Sequence, residues 1–376
     1  MAGIYVHIPF CKKACHYCDF HFSTSLQHKN EIIESILLEL EMQQNYLGDE
    51  VIQSIYFGGG TPSLLSGDEI SSIIQQIHTQ FNVSDSIECT LEANPDDLSD
   101  EKLCQFAKAG VNRLSIGIQS FFDEDLQYMN RSHDAAQAEH CIVLAYKNGI
   151  SNFSIDLIFG YPLLSDEKWK RNIEKVIEFG VPHISCYGMT VEPKTALASM
   201  IAKQKVAAMD DGQSARQYEY LMEALCSAGY EHYEISNFSM KGYASIHNSS
   251  YWQQQAYLGV GPSAHSYNGW SRQWNVSNNA LYIKGIASGL LPYESEILNR
   301  ENKINEWIMV SLRTAKGLVL HTLKELLTDS ERISFTAIAD KFVLQGLLRQ
   351  EANTDLQLTQ RGKLFADHIA SELFIG

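Results

Sequence analysis

The chain has 376 residues, of which 45% are hydrophobic, 20% charged and 10% aromatic, the composition of a globular protein with one large domain or a large and a small one. A net charge of −16, from 29 Lys/Arg against 45 Asp/Glu, argues against broad binding to nucleic-acid phosphates and to anionic membrane surfaces. No apolar run reaches about 18 residues, and Met1–His7 lacks the basic and apolar regions of a signal peptide. No membrane span is therefore expected; the expected location is cytoplasmic, with at most peripheral membrane contact.

A strand is expected over residues 3–10, and a cysteine-rich loop follows it directly: Cys11-Lys12-Lys13-Ala14-Cys15-His16-Tyr17-Cys18. Ile33, Ile36, Leu37 and Leu40 recur at helical spacing and predict a helix over 28–47, with Gly48 at its stop. Strand-like runs follow at Ile52–Phe57, Ile87–Leu91, Arg113–Ile118, Phe153–Phe159 and His183–Gly188. Helical patterns lie between them at 67–80, 100–109, 123–148 and 166–179. Strands each followed by a helix or long loop predict an α/β fold with a parallel sheet, a partial (β/α)6 barrel over residues 1–195.

The eight cysteines in a chain of this length read as reduced thiols, not as a disulfide scaffold. Cys89, Cys104, Cys141, Cys186 and Cys226 are scattered and read as small buried hydrophobes. Cys11, Cys15 and Cys18 are different. A packed thiol group fits poorly beside Lys12, Lys13 and His16. A zinc site would take His7, His16 or His21 as fourth ligand, but no second ligand pair is present. The spacing favours an iron–sulfur cluster, whose thiolate ligands run close together. Three thiolates hold three irons of a [4Fe–4S] cluster and leave the fourth open to another ligand.

Each strand end adds something polar or glycine-rich: Gly58-Gly59-Gly60-Thr61-Pro62, Glu92-Ala93-Asn94-Pro95, Gln119-Ser120, Asp156, and Tyr187 through Thr190. Barrel enzymes gather their functional groups at this mouth. Taken singly, the glycines read equally well as a tight turn, and Glu92 and Asp156 as structural ion-pair partners.

Residues 196–300 form an accessory segment. A long helix is expected over 197–228 and a strand over Tyr230–Phe238. A loop-rich, aromatic lid then carries Ile246-His247-Asn248-Ser249-Ser250-Tyr251-Trp252 and Gly259 through Ser266. Its aromatics suit a flat hydrophobic ligand, or simply bury one another. Residues 301–376 have helical patterns at 302–314, 319–328 and 334–341, a hairpin over Leu347–Thr359 and a last helix over 360–373, the order of a winged helix. With 9 Lys/Arg against 10 Asp/Glu this module has no basic footprint. No nucleic-acid partner is expected, and the module is assigned to protein contact, including support of a homodimer.

In their order along the chain these motifs resemble the radical S-adenosylmethionine (SAM) family, in the branch around oxygen-independent coproporphyrinogen III oxidase. The resemblance runs from Tyr5-Val6-His7-Ile8-Pro9-Phe10-Cys11 to Ser263-Ala264-His265-Ser266. It implies that Cys11, Cys15 and Cys18 hold a [4Fe–4S] cluster. It also implies that Tyr5, Tyr17, Gly59, Gly60, Thr61, Glu92, Gln119, Arg131, Asp156 and Thr190 surround SAM. The branch holds two similar groups: an oxidase that decarboxylates porphyrinogen propionates, and a heme-chaperone group that binds heme and passes it to acceptor proteins. Phe20 stands where the oxidases have a further cysteine, the first strand begins near residue 4, and His247-Asn248-x-x-Tyr251-Trp252 resembles a chaperone-group motif. The expected function is therefore heme binding and delivery, with heme-accepting proteins and a reductant as partners. Radical decarboxylation is the alternative. His247, Tyr251, Trp252 and His265 are the candidate heme contacts, with Arg272 and Lys284 as candidates for the propionates. Two positions depart from the family: Asn130 replaces a usual Gly, and Tyr161 a usual Leu.

Overall fold

The structure is a computed structural model that describes residues 1–350 and 355–376. Among the described residues fourteen strands follow in chain order: β1 Ala2–Ile8, β2 Ile52–Gly59, β3 Val83–Ala93, β4 Arg113–Gln119, β5 Phe153–Phe159, β6 His183–Gly188, β7 Glu231–Glu234, β8 Asn237–Ser239, β9 Ala256–Val260, β10 His265–Tyr267, β11 Ser271–Asn275, β12 Tyr293–Ile297, β13 Leu348–Gln350 and β14 Leu356–Leu358. The first six pair in parallel, in sequence order. A helix stands in every connection between them, and in the first the cysteine loop precedes it. This is the expected partial barrel. It forms part of one sheet of order β12-β11-β10-β9-β1-β2-β3-β4-β5-β6-β8-β7.

Side chains alternate along each strand with period two. One set is apolar: Ile4, Val6 and Ile8; Ile55 and Phe57; Leu114, Ile116 and Ile118; Ile155 and Leu157, each nearly or fully buried. These pack with Ile36, Leu40, Ile70, Ile73, Ile77, Leu103, Phe106, Ile142 and Ile173 of the surrounding helices in one core. The other set is largely polar: Tyr5 and His7, Ser54 and Tyr56, Glu88 and Glu92, Arg113 and Gln119, Asp156, His183 and Ser185. The interior of the barrel is thus built of groups that need partners.

The helices follow their local signals, and two expected helices are broken by caps. The helix Gly67–Gln80 starts at a capping box between Ser66 and Glu69. The run expected over 123–148 is two helices, Asp123–Tyr128 and Ala135–Lys147. Asn130 between them is left-handed (φ 58), and Asp134 with Gln137 forms a second capping box. The run expected over 197–228 is likewise split into Ala196–Ala202 and Asp211–Ser227, because the Asp210 side chain caps the second helix.

The segment read as a loop-rich lid contains the helix Ile246–Trp252 and strands β9 to β12. β9 pairs in parallel with β1, register Ala2 to Ala256 through Val6 to Val260, and β10 to β12 continue antiparallel. Glu39, on the helix Lys29–Met42, locks this extension in place. Its buried carboxylate accepts from Gly261 N (2.8 Å), Asn275 Nδ2 (2.7 Å), Gln43 Nε2 (2.8 Å) and the Tyr282 hydroxyl. On the other edge, the strand expected over Tyr230–Phe238 is the hairpin β7–β8, and β8 pairs antiparallel with β6.

Residues from Arg300 onward fold around a second core of Ile304, Ile308, Leu323, Phe342, Leu358 and Ile369. The helix expected over 334–341 runs from Asp329 to Leu344 behind a Thr328–Glu331 capping box. β13 and β14 pair antiparallel, and the turn of that expected hairpin, 351–354, lies outside the described residues. The last helix is two pieces, Gln360–Lys363 and Ala366–Glu372. No helix among the described residues is long and apolar enough to cross a membrane.

Candidate functional site

The cysteine loop lies across the mouth of the parallel strands and is tied to them by backbone bonds. Cys11 N donates to Ser23 O (3.0 Å) and Ser23 N to Pro9 O (2.8 Å), closing the loop on itself. Thr61 N donates to Phe10 O (2.6 Å), joining it to the glycine run after β2. His16 N donates to Met129 O (3.1 Å), and Leu197 N to His16 O (2.8 Å). Asn130 Nδ2 donates to Ala14 O at 2.7 Å. The family's usual Gly is explained at this position: φ is 58, and Asn is the residue that best tolerates such a backbone after Gly. Here its side chain adds a tether that Gly lacks.

Cys11, Cys15 and Cys18 all line one cavity of about 470 Å³, together with Lys13, Tyr17, Phe20, Gly59, Gly60, Thr61, Glu92, Gln119, Arg131, Asp156 and Thr190, among others. Nine of the ten residues expected around SAM thus meet at one place. Tyr5 is absent from the lining; its hydroxyl meets His7 Nδ1 at 3.1 Å. Gly59 has φ 99, and a Cβ there would collide with the His7 ring, so this turn admits only Gly. Burial pushes the Cys18 thiol up to about 11 and raises Cys11 as well. Thiolate ligation to iron therefore releases protons on binding. Among the described residues no three or more His, Cys, Asp or Glu side chains converge on one point. Cluster thiolates each bind a different iron and need no such convergence.

Arg131 brings a positive charge beside the thiols, with Lys13 as a second cation in the lining. Its Nη1 lies 3.4 Å from Cys15 Sγ, and its Nη2 donates to Asn94 Oδ1 and Gly117 O, both at 2.7 Å. Its Nε is buried without a partner among the described residues, as is Gln119 Oε1. Gln119 is left-handed (φ 69) where the β4–β5 register shifts, the kind of local strain that clusters at functional sites. Across the cavity, burial and the nearby Asp156 carboxyl push Glu92 up to about 7, against the Tyr56 hydroxyl that donates to it at 2.9 Å. Burial pushes Asp156 up to about 6. One end of the cavity therefore suits a carboxylate, and the other a cation or hydroxyls, with unpaired polar atoms ready for a ligand.

The candidate heme contacts are not gathered on this cavity. His247 is 1% exposed and both ring nitrogens are engaged, Nδ1 with Ser54 Oγ (2.8 Å) and Nε2 with the Tyr251 hydroxyl (2.9 Å). Trp252 is half-buried, with Arg313 over its ring. His265 is exposed on β10, stacked on Trp274. Arg272 is already paired with Glu306 at 2.9 Å. Of the five scattered cysteines, Cys89, Cys141 and Cys186 are buried as expected, but Cys104 and Cys226 are exposed, on the solvent side of their helices. Sequence reasoning gave no site role to Tyr56 or Lys13, and it placed Asn94 at the polar end of β3 without its bond to Arg131. Tyr56 was detectable, since it alternates with Phe57 directly before the glycine run.

A family model for the radical SAM superfamily matches residues 5–176. Heme chaperone HemW of Mycobacterium tuberculosis (strain ATCC 25618 / H37Rv) is 33% identical over 376 residues, 99% of this chain and 94% of that protein. Heme chaperone HemW of Bacillus subtilis (strain 168) is 33% identical over 372 residues, 98% of each chain, and that of Escherichia coli (strain K12) 30% identical over 385 residues, 99% and 98%. Among solved structures, coproporphyrinogen III oxidase (HemN) from Escherichia coli superposes with a TM-score of 0.85 at 21% identity, covering 99% of this chain and 90% of that one, which shows a shared fold. With its cysteine loop at the barrel mouth and its near-complete alignment to these relatives, the chain belongs to the HemW family of radical SAM proteins.

Proposed function

We propose that this chain binds a [4Fe–4S] cluster, SAM and heme, and delivers heme to acceptor hemoproteins. The observation that carries the cofactor assignment is the convergence of three thiols, a glycine turn, Arg131 and two carboxylates on one cavity. Cys11, Cys15 and Cys18 would ligate three irons. Arg131, with its unpaired Nε, suits the SAM carboxylate. Gly59 and Gly60 let the backbone approach the methionyl end, and Glu92 and Asp156 suit ribose hydroxyls or the sulfonium charge. A reduced cluster with SAM bound supplies one-electron radical chemistry. Gln119, with its unpaired Oε1, suits a donor group of SAM, and Tyr17 and Thr190 wall the cavity.

The heme assignment rests on the names of the relatives and on the chain's own Phe20. That residue is 67% exposed at the cavity mouth, where the oxidases carry another cysteine. Its apolar ring cannot serve the chemistry of a thiol. The shared fold with a coproporphyrinogen oxidase favours the second reading, radical decarboxylation. A reductant, heme-accepting proteins, a homodimer and a cytoplasmic location complete the proposal, with residues 196–300 as accessory segment and 301–376 as contact module.

One anaerobic experiment separates the readings. The cluster-reconstituted protein is offered coproporphyrinogen III with SAM and reductant, and in parallel heme followed by an apo-hemoprotein. Heme uptake and transfer without decarboxylated product is expected. Decarboxylation at a catalytic rate would overturn the chaperone reading.

A further inference from the structure

The helix Ile246–Trp252 closes the barrel interior beneath the cavity, and its contacts lead to one of the cavity's carboxylates. The His247 ring lies nearly parallel to the Tyr56 ring, with centroids 4.9 Å apart and planes at 22°. Tyr56 in turn donates its hydroxyl to Glu92 Oε1 at 2.9 Å, and Glu92 lines the cavity.

His247 is held from every side. Ser54 and Tyr251 engage its ring nitrogens, and its backbone N donates to Glu88 Oε1 at 3.0 Å. Gly3 on β1 leaves the space for it: a Cβ there would stand 2.9 Å from Ser54 Oγ and 3.2 Å from His247 Nδ1. Burial pushes the imidazole down to about 3, so the ring is neutral and acts through shape and hydrogen bonding rather than charge. A ring fixed on both nitrogens is a platform of defined position. Tyr56, stacked on it and also lying near Tyr5 (centroids 6.2 Å), has little freedom to swing its hydroxyl away from Glu92.

We propose that His247 is a positioning residue for the cavity: its ring fixes Tyr56, Tyr56 fixes Glu92, and ligand affinity is thereby coupled to the packing of the helix Ile246–Trp252. This rests on the reading of the cavity as the SAM site. The path is made of direct contacts: one ring stack and one hydrogen bond. A consequence is reciprocal. Any event that draws His247 off Tyr56 weakens SAM binding, and bound SAM resists that event by the same factor.

The test is a double-mutant cycle on cluster-reconstituted protein, read by equilibrium dialysis of labelled SAM. Tyr56→Phe keeps the ring, loses the hydroxyl, and is expected to weaken binding roughly tenfold, the change carried by one hydrogen bond to a charged group. His247→Ala removes the platform, and a loss of about fivefold is expected. His247→Phe, which restores a ring without the bonds to Ser54 and Tyr251 that fix it, is expected to fall between the wild type and His247→Ala. The double variant Tyr56→Phe/His247→Ala is expected to match Tyr56→Phe alone, because residues acting in series are non-additive. Unchanged affinity in His247→Ala, or losses that multiply in the double variant, would overturn the coupling while leaving the cavity assignment intact. Where His247→Ala does not fold, judged by thermal melting, His247→Leu takes its place in the cycle. No SAM binding by the wild-type protein would overturn the assignment of the cavity, and the coupling with it.

Discussion

The barrel interior has two ends, and they are finished differently. At the floor, Ser54, Glu88, His247 and Tyr251 satisfy one another, and Glu88 accepts from Ile246 N and His247 N, both at 3.0 Å. At the mouth, Arg131 Nε and Gln119 Oε1 have no partner, the backbone at Gln119 is left-handed, and Glu92 and Asp156 sit well above the ordinary carboxylate range. β3 and β4 supply both ends, with Glu88 and Arg113 at the floor and Glu92 and Gln119 at the mouth, while His247 and Tyr251 come from a helix and Arg131 from a loop. The difference is that Ser54, Glu88, His247 and Tyr251 at the floor are satisfied within the protein, whereas the groups of the mouth leave polar atoms for a ligand. The floor also contains exceptions: Arg113 Nε and Nη2 are buried without hydrogen-bond partners, with Glu88 Oε2 3.9 Å from Nε.

The sharpest way to break this comparison is at the thiols. Cys11→Ser, Cys15→Ser and Cys18→Ser are each expected to lose essentially all cluster iron after reconstitution, while the thermal melt of the apo-protein stays within a few degrees of wild type. An iron assay beside a melting curve checks both halves. Removing a satisfied group should do the reverse. Glu39→Leu strands the donors of Gly261, Asn275, Gln43 and Tyr282, and is expected to cost about 3 kcal/mol, with a fall in Tm of roughly 4 °C.

The third expectation concerns pH. Glu92 titrates at about 7 in the fold, above the usual carboxyl range near 4.5, so the folded state holds this proton more tightly than the unfolded chain. Stability from this group is therefore greatest below pH 4.5 and declines as pH rises through 7. Affinity for a cationic ligand runs the other way and rises over the same window. Glu92→Gln should make both profiles shallower between about pH 5 and 7.5, leaving the slope that Asp156, raised to about 6, contributes, as denaturant titration and ligand dialysis across that range would show. The smallest effect is expected at Asn130. Asn130→Gly keeps the left-handed backbone, loses only the bond to Ala14 O, and should change stability by under about 1 kcal/mol. Asn130→Val, which cannot take that backbone cheaply, should cost more and loosen cluster retention.

Much of the site is legible in the amino-acid order alone. The thiol spacing and the polar strand ends lie within single loops, and strands β4, β5 and β6 are bounded by residues whose alternation is unambiguous. The accessory strands are not legible. β9 owes its existence to pairing with β1, more than 200 residues earlier, and β10 has three residues, too few for any period to show. Glu39 gives no signal as a charged residue within an apolar helix face, because its partners Gly261, Asn275 and Tyr282 come from distant positions. The two broken helices are readable in principle, through Asp134-x-x-Gln137 and Asp210 as caps, but apolar periodicity carries across the breaks and masks them.

The sequence by itself marked the thiol cluster and the barrel strands, because cysteine spacing and side-chain alternation are local properties. It also presented His247, Tyr251 and Trp252 as one motif. Only the tertiary structure decided what that motif touches: His247 lies inside the barrel with both nitrogens bonded and its ring on Tyr56, while His265 is exposed on a strand. A histidine's role depends on which groups surround its two nitrogens, and those neighbours are brought together only when distant strands pair and the interior closes.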